Sequence, residues 1–122
     1  MKALLPIAFA AATAAAYADC PYPQAPTKIP DGATATLDDM VAGQKAVNAY
    51  QKAINDYTAC IDKELDDAIA KGGDKLKPAQ KADMQRVEAQ KHNAAVDQLQ
   101  AVADRFNEQV KVYKARTADK KG

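Results

Sequence analysis

Met40, Val47, Ile54, Ile61 and Ala68 stand seven residues apart. An apolar residue that recurs every seven positions returns to one side of an α-helix, because seven residues are close to two turns. A strand would need alternation with a period of two, and no stretch of the chain sustains it. Tyr50 and Tyr57 begin a second row beside the first, and Leu37, Val41, Leu65 and Ile69 widen the stripe at its ends. Glu64 interrupts the second row, and Gly43 is expected to leave a hole near the start. Thr36 suits the N-cap, with Asp38 and Asp39 in the first turn, where the positive helix end favours carboxylates. Gly72-Gly73 should end the helix, since glycine tolerates the backbone turn that follows a last helical residue.

Pro78 suits the opening turn of a second helix, whose missing N–H costs nothing there. Its apolar stripe runs through Met84, Val87, Ala95, Leu99, Val102, Phe106, Val110 and Tyr113. Lys111, Lys114 and Arg116 fall in the last turns, where the helix dipole favours positive charge. The expected domain is therefore all-α: an antiparallel two-helix hairpin over 36–116, with its turn near 72–77 and a frayed tail over 117–122. Folding about that turn pairs residues whose numbers sum to roughly 149. Val47 then meets Val102, Ile54 meets Ala95, and Leu65 meets Met84. The same register brings Asp38 and Asp39 near Lys111 and Lys114.

Residues 19–35 read differently. Pro21, Pro23, Pro26 and Pro30 fix φ and remove backbone donors, so this segment is expected to be an extended strap closed by a turn at Pro30-Asp31-Gly32. From Thr36 to Cys60 along a helix is about 36 Å, and Cys20 to Thr36 spans up to about 50 Å if polyproline-like. The strap can therefore double back along the first helix and be pinned at Cys60.

Cys20 and Cys60 are the only cysteines. The chain begins with Met1-Lys2, an apolar run from Ala3 to Ala16, and Ala16-Tyr17-Ala18. These are the charged end, apolar core and small-residue cut site of a secretory signal peptide over residues 1–18, cleaved after Ala18. The run is shorter than the ~20 residues that span a bilayer, and no integral membrane segment is expected after cleavage. Export to the periplasm, or secretion, puts an even number of cysteines in an oxidising compartment, which reads as one disulfide; two free or intermolecular thiols are the alternative. Loss of Lys2 with the signal leaves 16 of the 17 basic side chains against 16 acidic ones. That balance provides no electrostatic reason to bind nucleic acid or anionic lipid.

Candidates for chemistry are sparse. His92 is the only histidine. It falls on the face of Leu99, and the register places it near Tyr57, where a His-Tyr hydrogen bond in the seam is expected. Asp62 and Asp66 share a helix face within an acidic cluster that includes Glu64 and Asp67; a solvated face, offset by Lys63, Lys71, Lys81 and Arg86, is the expected reading. Tyr57, His92, Asp62 and Asp66 are thus the residues of a polar seam or interaction patch. One histidine makes a poor metal site, and the order of acidic residues does not follow a calcium loop. With the cysteines paired, no catalytic or cofactor site is expected, and a divalent cation or an acidic docking role for the cluster is the less favoured alternative.

Leu76-Lys77-Pro78-Ala79-Gln80 resembles the Leu-Thr-x-x-Gln motif of small periplasmic stress chaperones at Leu76 and Gln80, with Lys77 in place of the threonine. The run CPYPQAPTKIPDGATAT from Cys20, followed by Met40, Tyr50 and Tyr57-x-x-Cys60, resembles a group of small exported proteins of Gram-negative bacteria. That resemblance implies export and the cysteine pair and carries over no functional residue. The resulting expectation is an exported binding or structural module that forms a homodimer or meets a periplasmic protein partner. A periplasmic chaperone or stress protein is the first alternative, and an enzyme of unknown type the second.

Overall fold

A computed structural model describes residues 20–119; the expected signal peptide over 1–18, its cut after Ala18, and residues 120–122 of the tail lie outside them. Two α-helices dominate, α1 (Leu37–Gly72) and α2 (Pro78–Asp119), joined through a single 3-10 turn at Gly73–Lys75, and no strand occurs among the described residues. One disulfide joins Cys20 to Cys60, with their Cα atoms 5.6 Å apart.

Each helix end has a local cause. Thr36 Oγ1 accepts a hydrogen bond from Asp39 N at 3.1 Å, and Asp39 Oδ2 accepts one from Thr36 N at 3.0 Å. This capping box satisfies two donors that the first turn would otherwise leave open. The bond from Thr36 N–H holds the Asp39 carboxyl below its ordinary range. At the other end of α1, Gly73 adopts φ +47° and its N–H bonds Ile69 O, a backbone state in which a side chain would clash. Pro78 opens α2, and Gln80 Oε1 accepts from Lys77 N at 3.0 Å. Lys77 and Gln80 thus make half of a capping box, and Lys77 lacks the hydroxyl that would complete it. α2 continues three residues beyond the expected 116. Its last turns are held by Thr117 Oγ1, which donates to Tyr113 O at 3.0 Å, and by the contacts of Arg116.

The core consists of Ala35, Met40, Val47, Tyr50, Ile54, Tyr57, Ile61, Ala95, Val102 and Phe106. Four of the five residues in the seven-residue row are buried, and Ala68 is half-buried. Gly43 does not leave a hole: a Cβ built on it would lie 2.7 Å from Pro30 Cγ and 2.8 Å from Phe106 Cε2. The segment before α1 adds Cys20, Ala25 and Ile29 to the margin of the core. Between Asp62 and Ala94 no residue is buried; Leu65, Ile69 and Met84 are half-buried and Val87 is exposed. The apolar stripe continues there, but the N-terminal segment reaches only as far as Cys60, and two helices alone leave their facing ridges open to water on both sides.

Salt bridges among the described residues join neighbours on one helix: Lys52–Asp56, Lys63–Asp67, Asp83–Arg86 and Glu108–Lys111. The expected attraction between the start of α1 and the end of α2 is not realised as a bond. Asp39 is committed to Thr36 and Lys111 to Glu108. No helix among the described residues is long and apolar enough to cross a membrane.

Candidate functional site

Two regions combine unusual chemistry with access to solvent. The first surrounds the disulfide. The bridge ties the N-terminal segment to the middle of α1, and Tyr22 packs edge-on against Tyr57 with ring centroids 5.1 Å apart. Burial raises the Tyr57 hydroxyl above its ordinary value, with smaller contributions from Tyr22 and the Glu64 carboxylate. Cys20 Sγ, Cys60 Sγ and a Glu64 carboxylate oxygen all lie within 4.8 Å of one another. In the oxidised protein both sulfurs are bonded to each other and offer no thiolate to an ion. Tyr50 lies in the core with its hydroxyl buried and without a hydrogen-bond partner among the described residues. Burial raises it above its ordinary value, and Tyr22 adds to the shift.

The far end of the N-terminal segment is held without covalent bonds. Asp31 closes a turn, accepting from Thr34 N at 3.1 Å and Ala35 N at 2.7 Å through its carbonyl and from Ala33 N at 2.9 Å through its side chain. Gly32 N donates to Gln109 Oε1 at 2.8 Å. Arg116 Nε donates to Gly32 O at 3.1 Å, and its Nη2 donates to Ala35 O. The guanidinium also lies 5.2 Å from the centroid of the Tyr113 ring, within cation–π range. Ile29, Pro30 and Asp31 line hollows against both α1 and α2, so this part of the segment lies between the helices.

The second region is an acidic cluster that spans α1 and α2. Glu88, on α2, is half-buried, and its Oε1 is buried without a hydrogen-bond partner. The neighbouring Asp62 carboxyl raises the Glu88 carboxyl above its ordinary value, with burial and the charge of Asp66 acting the same way and His92 opposing them. The acidic face therefore faces a third carboxyl across the helix pair rather than solvent alone. Asp62 and Asp66 are exposed and His92 is half-buried. Tyr57 and His92 share no hydrogen bond, and the aromatic partner of Tyr57 is Tyr22. Glu88 carries no sequence signal of its own, although folding about the expected turn near 72–77 would set it opposite Ile61, beside Asp62.

On the side away from Ile29–Asp31, Leu37, Val41, Val110 and Tyr113 line an uncovered hollow of about 290 Å³ between α1 and α2. Leu37 is 62% exposed and Val41 44% exposed. No family model, curated protein or solved structure matches this chain.

Proposed function

We propose that the protein is an exported helical binding or structural module, an antiparallel hairpin that is strapped along one groove and associates with a second copy through the other. The antiparallel arrangement is supported by the approach of Gly43 to Phe106 and by the hollow that Leu65 shares with Met84. Both pairs sum to 149. A Pro-rich strap running back along α1 is supported by the Cys20–Cys60 bond and by the proximity of Pro30 to Gly43. Export rests on the residue pattern of Met1 to Ala18 and accords with a disulfide. The resemblance of residues 20–60 to small exported proteins of Gram-negative bacteria points the same way.

The observation that carries the reading is the uncovered hollow, with Leu37 and Val41 exposed at its rim. Exposed apolar residues grouped around a groove mark interaction sites more often than isolated ones do. Two such grooves packed together make a four-helix arrangement, a common way for hairpins to bury a second face. Light scattering over a wide concentration range tests it. Mass should rise toward that of a dimer, and Leu37→Asp with Val41→Asp should abolish the rise. A strict monomer throughout sinks self-association and leaves a different periplasmic protein as the partner to seek by crosslinking.

A further inference from the structure

We propose that reduction of the Cys20–Cys60 disulfide creates a binding site for a thiophilic divalent cation such as Zn²⁺, with Cys20 Sγ, Cys60 Sγ and a carboxylate oxygen of Glu64 as its protein ligands. The Glu64 oxygen already lies within 4.8 Å of both sulfurs, while the sulfurs, bonded to each other here, must separate to about 3.8 Å, the span of two Zn–S bonds of about 2.3 Å in a tetrahedral site. Side-chain rotation supplies that separation. Cys60 and Glu64 stand four apart on α1, the spacing that puts two ligands on one helix face. The third ligand, Cys20, comes from the N-terminal segment. Its far end remains attached through Gly32, Gln109 and Arg116 when the sulfur bond is broken. Nearer the thiol, the packing of Tyr22 on Tyr57, three residues before Cys60, keeps Cys20 beside its former partner. All three residues are half-buried, so water can complete a four-coordinate ion, as in zinc sites with three protein ligands.

The chemistry balances in two steps. A dithiol or phosphine reductant supplies two electrons, and two protons from water leave Cys20 and Cys60 as thiols. The cation then displaces both thiol protons and binds two thiolates and one carboxylate. With the ion bound, the Glu64 carboxylate adds a negative charge to the attraction. Two thiolates select zinc-like cations over magnesium or calcium.

The full-length mature protein is reduced with a phosphine, freed of reductant without oxygen, and titrated with Co²⁺ alone as the spectroscopic probe. A thiolate-to-cobalt charge-transfer band should appear with a one-to-one endpoint, while helicity by circular dichroism is retained, and Zn²⁺ should then abolish it. The oxidised protein should show no such band. Glu64→Gln, which leaves the disulfide able to form, should weaken binding about tenfold or more, whereas Glu88→Gln should leave it unchanged. Absence of the band overturns the proposal. So does affinity that is equal in Glu64→Gln, or a band that persists with the same affinity when the helices are unfolded in urea.

Discussion

Replacing Gly32 with alanine places one methyl group where α2 leaves no room. The new Cβ would lie 2.1 Å from Gln109 O, 2.8 Å from Tyr113 N and 3.0 Å from Gln109 C. All three are backbone atoms of a continuous helix, so no side chain can move aside. The turn at 31–35 must lift away, and it loses the bond from Gly32 N to Gln109 and those from Arg116 to Gly32 O and Ala35 O. Each such bond contributes about 1 kcal/mol net when only partly buried. Water recovers part of the loss, and exposing Ala35 adds to it. Gly32→Ala should therefore destabilise the oxidised protein by about 2–3 kcal/mol, a fall in melting temperature of about 10–20 °C for a domain of this size. Gln109→Ala removes a single bond without a clash and should cost about 1 kcal/mol. Urea unfolding followed by circular dichroism measures both. If Gly32→Ala lies within 0.5 kcal/mol of the parent (a margin of about the usual surface effect), the segment is not docked on α2 and the reasoning fails.

Reducing the disulfide opens a loop with a sequence separation of 40 and should lower stability by about 4 kcal/mol in the chain-entropy account; a shift in urea midpoint worth under 1 kcal/mol would contradict it. Glu88 binds its proton more readily folded than unfolded, so its contribution to stability is present at low pH and is lost as pH rises through its raised folded value. Glu88→Gln should then be more stable than the parent at neutral pH by a few tenths of a kcal/mol, an advantage that shrinks on acidification; an advantage that grows instead would count against the carboxyl cluster. Hydrogen exchange should find the amides of residues 62–94 opening at lower free energy than those of 40–61, because the core is confined to one part of the helix pair and local stability follows burial. Uniform protection would show that the two parts unfold together.

The periodic parts of this structure were readable beforehand because each has a repeating or local cause. Met40, Val47, Ile54 and Ile61 recur at seven, Thr36 and Asp39 are three apart, and Gly73 and Pro78 act on their own backbones. Arg116 illustrates what was not readable. Its partners, Gly32 O and Ala35 O, lie 84 and 81 residues away, and a side chain reaching a distant carbonyl leaves no spacing to detect. Its place in the last turn accounted only for its charge. Glu88 failed for another reason: a glutamate on a charged helix reads as solvated until the opposite helix is set beside it. Gly43 reads as missing volume in one helix, whereas Pro30 and Phe106 need its lack of a side chain. The extent of the core also escaped the stripe, since apolar residues past Ile61 have the right spacing but no third layer to cover them.

The bridge between residues 20 and 60 also fixes how the molecule would carry a mechanical load. Tension applied upstream of Cys20 and at the end of α2 crosses the sulfurs directly to Cys60, then follows the last turns of α1 and the Gly73–Lys75 turn into α2. Residues 21–59 form a slack loop beside that path, and six of the core residues, Ala35 to Tyr57, sit within it. A pull that straightened the rest of the chain would leave about 140 Å of contour length hidden behind one covalent bond. A reductant would release that hidden length all at once, so the oxidation state of two sulfurs sets how far the molecule can be stretched.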